Sequence, residues 1–125
     1  MGVHMKKDEF NPYMKFHGLF IPNGIAMSQI PALSKLLLGR LLQYSGVDGR
    51  AYPTRKKLAK ELGNISLSVL DRNIKTLKDL KLIRTYPLDP DNKQSPNLYA
   101  FLKNKMYQEP LVKTTTRQIV TIFWS

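Results

Sequence analysis

A chain of 125 residues, 42% hydrophobic and 23% charged, has the length of one domain and enough apolar content for a modest core. It has no cysteine and only two histidines, His4 and His17, which excludes a disulfide framework and a thiolate metal site and leaves too few ligands for a zinc centre. No apolar run approaches the roughly 18 residues that span a bilayer and no secretory signal is visible, so a cytoplasmic protein without cofactor is expected.

The net charge of +11 is unevenly spread. Residues 1–53 carry six Lys/Arg and three Asp/Glu, net +3; residues 54–86 carry nine and three, net +6; residues 87–125 carry five and three, net +2. A basic patch confined to one short stretch is the footprint of a polyanion partner, whereas a merely soluble basic protein needs no such localisation.

Residues 1–15 read as a flexible lead-in. Met1-Gly2 opens like an N-myristoylation signal, but that motif wants Ser or Thr at the sixth position, where Lys6 stands. MGVH reads as an expression-vector remnant ahead of a native Met5. Met14 to Pro22 is rich in aromatic and β-branched residues and stops at a proline, which predicts a short strand over Phe16–Ile21. His17 in it is a structural residue rather than a ligand, and Asn23-Gly24 marks a turn.

Pro31 to Ser45 is predicted as the core helix, with Ser34 as its N-cap. Leu33, Leu36, Leu37, Leu41 and Tyr44 recur at spacings of three and four, and Leu38 and Leu42 widen the stripe. Gly39 in mid-helix weakens it intrinsically and predicts close approach of another element. Gly46 to Arg50 is a turn, and Ala51-Tyr52-Pro53 leads extended into Thr54.

Two helices are predicted next, one from about Arg55 to Leu62 capped by Thr54, the other from about Leu67 to Leu80 capped by Ser66. Gly63 and Asn64 between them suit the left-handed conformation that ends a helix. Leu58, Ala59 and Leu62 face inward in the first, as do Leu67, Leu70, Ile74 and Leu77 in the second. Such a pair is the layout of a helix-turn-helix, whose second helix lies in the DNA major groove.

Ile83–Tyr86 and Leu98–Leu102 read as the strands of a hairpin, a wing after the recognition helix, joined by the irregular PLDPDNKQSP. Leu111 to Ser125 ends in the β-prone IVTIFWS, which is expected to pair with a sheet edge, pack on the core or bury itself in a second subunit as a homodimer contact.

FIPNGI, the block LSKLLLGRLLQYSGVDGRAYPTRKKLAKELGNIS, LDRNIKTLKDLKLI and NLYAFL follow a recurring pattern. Over residues 16–102 the chain resembles the winged-helix domain of bacterial plasmid and phage replication initiators and related regulators, most specifically from Leu33 to Ile83. The resemblance implies an α+β winged helix-turn-helix of three main helices and a small antiparallel sheet, made of the N-terminal strand and the wing hairpin. It places that domain at 16–103, with a C-terminal extension at 104–125. Three departures stand out: Asn64 and Ile65 make a two-residue turn where the pattern has one residue, Lys81 replaces a usual Gly, and the wing carries Asp89 and Asp91 against one Lys93.

A recognition helix needs donors to phosphates and a few side chains that reach base edges. Arg72 can fork onto guanine O6 and N7, Ser68 can reach a base, and Asp71 can accept from cytosine N4 or else pair with Lys75 on the helix surface. Lys75 and Lys78 meet phosphates or solvent, and Thr54, Arg55, Lys56 and Lys57 lie where the first helix approaches a phosphate. Leu67 is a core residue or an apolar contact to a thymine methyl, the core being the reading preferred. No Gly-rich phosphate loop, nucleophile–base set or His-hydrophobic-His motif is present, so an enzyme is not expected. The expectation is sequence-specific double-stranded DNA binding in replication initiation or transcription regulation; the alternative is a winged helix serving as a protein-interaction module.

Overall fold

Proline decides where the central helix begins. The computed structural model describes residues 6–13, 17–89, 91 and 97–108, and in it Pro31 stands at the start of α2 (Ala32–Tyr44). A proline disfavours helical geometry in the residue before it, so the helix cannot reach back past Ile30. The expected cap, Ser34, therefore falls inside the helix, where it is fully buried and donates to Asn73 Oδ1 at 2.6 Å. The Asn73 amide in turn donates to the Val69 carbonyl at 2.8 Å. This buried polar link fixes α2 against α4 and is worth about 1 kcal/mol net, with a larger penalty of about 1–3 kcal/mol if one partner is removed.

Leu37, Leu38 and Leu41 are wholly buried, while Leu36, expected on the core stripe, is 42% exposed. The buried face of α2 is centred on residues 34, 37, 38 and 41, which turns 36, 40 and 43 outward at a period of 3.6. Gly39 meets the approach its position predicted, since a Cβ there would lie 2.8 Å from Ile21 Cγ1.

That contact also explains why the expected strand over Phe16–Ile21 does not form. Phe16 lies outside the described residues, and residues 17–22 run without ladder partners along α2, where Gln43 Nε2 donates to the Gly18 carbonyl at 3.3 Å. β-Prone side chains here pack on a helix instead of joining a sheet. Asn23-Gly24, expected as a turn, opens a single helical turn, α1 (Asn23–Ala26), which buries Ile25.

The helix pair forms as its capping signals dictate. In α3 (Arg55–Glu61) the Thr54 hydroxyl accepts from Lys57 N, and in α4 (Leu67–Asp79) the Ser66 hydroxyl accepts from Val69 N. Leu58, Leu70 and Leu77 are fully buried in the shared core and Ala59 and Ile74 nearly so, with α4 packed on both α2 and α3.

The third strand comes from a different part of the chain than expected. β1 (Arg50–Ala51), β2 (Ile83–Pro87) and β3 (Asn97–Phe101) form an antiparallel sheet in the order β1-β3-β2. Ala51 pairs with Tyr99, Ile83 with Phe101 and Pro87 with Asn97. The described chain is thus a mixed α+β unit of four α-helices and a small antiparallel sheet.

Packing continues beyond residue 103. A 3-10 turn over Lys105–Tyr107 is capped by Asn104, whose amide also donates to the carbonyls of Leu80 and Lys81 at 2.9 and 3.2 Å. The carbonyls of Met106 and Gln108 press on Gly24 so closely that a Cβ there would lie 2.4 and 1.9 Å from them. Residues 109–125, with the expected self-association segment, lie outside the described residues.

Candidate nucleic-acid interface

The turn between α3 and α4 sets which side chains reach solvent together. Gly63 and Asn64 both adopt left-handed backbone, with φ of +102° and +59°; glycine does so freely and asparagine at small cost. Two left-handed residues in succession accommodate the longer turn, and Ile65 then folds back so that its N–H reaches the Ala59 carbonyl at 3.1 Å.

On α3, Lys56, Lys57 and Lys60 are exposed and Thr54 is occupied as cap. Lys57 Nζ sits 5.2 Å above the ring of Tyr44, a cation–π geometry that orients the ammonium without neutralising it. The Tyr44 hydroxyl donates to the Glu61 carboxylate at 2.6 Å, and Arg40 Nε lies 3.9 Å from the same carboxylate. Burial and the Glu61 charge raise the Tyr44 phenol above its ordinary value, so it stays a donor at neutral pH.

On α4, Ser68, Asp71, Arg72, Lys75 and Lys78 are all exposed, and Leu67 is exposed by 42% although the core reading was preferred for it. The buried stripe of this helix is carried by Leu70, Asn73, Ile74 and Leu77, and Leu67, on the azimuth of Ile74 but at the first position, lies at its open end.

Asp71 does not pair with Lys75 on the helix surface. Arg55 Nε donates to Asp71 Oδ1 at 3.0 Å and Arg55 Nη2 to Oδ2 at 2.5 Å, a two-point fork between α3 and α4. Lys75 instead pairs with Asp79 one turn later, at 2.8 Å. The two serines Ser66 and Ser68 lie with hydroxyl oxygens 3.1 Å apart. Among the described residues Lys56, Lys60, Arg72 and Lys78 make no side-chain hydrogen bond or ion pair.

The expected phosphate and base-reading side chains are therefore exposed on the helix pair, apart from the half-buried Arg55, but Arg55 and Lys75 are already engaged by carboxylates. Sequence reasoning passed over two features. Lys60 and Ile65 join Lys56, Lys57 and Leu67 around an open groove of about 800 Å³ at the α3–α4 turn. The Arg55–Asp71 fork joins residues 16 apart in sequence, out of reach of any rule based on helical spacing.

Compared with known protein families, with curated proteins and with solved structures, the chain matches none.

Proposed function

We propose that the fold is a winged helix-turn-helix and that the protein binds double-stranded DNA sequence-specifically, as an origin-binding factor in plasmid or phage replication or as a transcription regulator. It acts as a reader rather than an enzyme, at the nucleoid. The observation that carries this reading is the capped α3–turn–α4 pair, which turns Lys56, Lys60, Arg72 and Lys78 to solvent with no ion pair among the described residues. The β2–β3 hairpin, which follows α4 directly in the chain, supports it, since a wing would follow a recognition helix there.

In this reading α4 enters the major groove. Arg72 forks onto guanine and Ser68 contacts a neighbouring base, while Lys56, Lys57 and Lys78 hold phosphates on either side. Thr54 stays with the α3 cap, and Arg55 and Asp71 brace the two helices.

The test is Arg72→Ala on a site selected from random duplex. It is expected to cost about 1–3 kcal/mol at the selected site and to relax base preference there. Equal loss on selected and random duplexes would remove base reading from Arg72.

One observation favours a second reading, a protein-interaction module: Asp89 and Asp91 are exposed on the wing, where a phosphate-gripping hairpin would carry cations. Salt separates the two. A duplex reader with four to six phosphate contacts follows a log–log slope of about −4 to −5, whereas an interaction module binds duplex weakly or not at all at physiological salt.

A further inference from the structure

Resting on the DNA-binding reading, we infer that Leu67 recognises a thymine methyl in the major groove and that the bound site carries thymine at the base pair facing the first turn of α4. Leu67 is the first residue of α4, directly after the Ser66 cap, and it is 42% exposed. The N-terminal end of a recognition helix is the end that meets base edges.

A lone exposed leucine is ordinary on a protein surface. Leu67 is not alone, because together with Ile65 and Ala59 it lines the groove at the α3–α4 turn, whose lining also includes Lys56, Lys57 and Lys60. A groove lined by both apolar and cationic side chains complements a polyanion that presents an apolar group between its charges. On the major-groove edge of duplex DNA that group is the C5 methyl of thymine, and the flanking charges are the phosphates.

Asp71, one helical turn further along the face of Leu67, strengthens the assignment. It is the residue on this face that would otherwise read a base by hydrogen bonding, and both its carboxylate oxygens are held in the Arg55 fork. Along the α3 side of α4 the carboxylate is thus already satisfied by Arg55 and Leu67 adds an apolar contact, while Ser68 and Arg72 serve the other side of the helix.

The experiment replaces each thymine of a duplex selected from a random pool by uracil, in turn, and measures binding of the full chain and of Leu67→Ala. Uracil keeps the base pair and removes only the methyl. One position is expected to lose about four-fold in affinity with the unaltered protein, the effect of withdrawing one buried methyl, and to lose nothing with Leu67→Ala. Uracil tolerated at every position, or a thymine preference that persists in Leu67→Ala, overturns the role of Leu67 while leaving DNA binding intact. A pool from which no sequence is enriched overturns the DNA-binding reading and this inference with it.

Discussion

Tyr107 ties the end of the described chain to the core through one hydrogen bond, from its hydroxyl to the Leu82 carbonyl at 2.9 Å. Burial pushes the phenol well above its ordinary value of 10.0, because a phenolate in that position would lose hydration. A group whose pKa is higher in the folded than in the unfolded chain stabilises fully below the unfolded value and loses that contribution as pH rises through the folded one. Tyr107 should therefore support the fold at neutral pH and withdraw support above about pH 10. Tyr107→Phe is expected to cost about 1 kcal/mol at pH 7, the worth of the lost bond, and to fall less steeply than the unaltered protein in urea midpoints between pH 10 and 12. Parallel alkaline limbs would show that this phenol is not the titrating group. Lys81 is strained in a different way. It ends α4 with φ of +62°, while Leu82 N–H closes the turn onto the Leu77 carbonyl at 3.0 Å. A residue with a β-carbon resists that conformation by about 1–2 kcal/mol, partly offset by the greater unfolded-state freedom of glycine. Lys81→Gly is accordingly expected to raise stability by roughly 0.5–1 kcal/mol in urea titration; a lower midpoint would place the benefit of Lys81 in its side chain.

At the level of elements, the Arg55–Asp71 fork decides how α3 and α4 present themselves. Its side chains are 34% and 51% exposed, so solvent screening limits its worth to at most about 1 kcal/mol. Its larger effect is on charge, since it places a carboxylate in a basic surface and occupies a guanidinium. Asp71→Asn should leave the melting temperature nearly unchanged, tighten binding to random duplex and steepen its salt slope by about one unit as Arg55 is released to a phosphate. Weaker random binding with an unchanged slope would show instead that the fork orients α4 for contact. The elements themselves were largely legible in the chain. Thr54 and Ser66 marked both helix starts because capping is a local interaction, and Gly63-Asn64 marked the turn because left-handed backbone selects those residues. Leu36 faces away from the core because periodicity reveals a stripe but not its centre, which the packing of α2 on α4 determines, and Leu67 is exposed because it stands at the open end of its stripe. The segment before Pro22 looked like a strand and packs as coil, since β-propensity reports a fit to a half-buried surface rather than to a sheet. Arg50–Ala51 is too short to carry any alternation.

Across the whole molecule the organising quantity is charge, and here the reading from sequence was both strong and incomplete. Local counting located the +6 excess over residues 54–86, and Lys56, Lys57, Arg72 and Lys78 do share the exposed surface of the helix pair. Counting does not reveal which cations are neutralised across helices, and Arg55 is the instance where that matters. An excess of +11 on 125 residues repels itself in the folded state more than in the expanded unfolded chain, and added salt screens that repulsion. The same salt restores the counterions that phosphate contacts displace. On the proposed DNA-binding reading, ionic strength should therefore act in opposite directions on stability and on duplex affinity. Between about 20 and 200 mM salt, with the Debye length falling from roughly 20 Å to 7 Å, the free protein's melting temperature is expected to rise while duplex affinity falls. Scanning calorimetry and fluorescence anisotropy over one salt series measure both. A melting temperature that falls over this range would mean that favourable pairs such as Arg55–Asp71 and Lys75–Asp79 outweigh the net repulsion. A flat binding curve would mean that the lysines around the α3–α4 turn do not meet phosphates, and would shift the balance toward the interaction module.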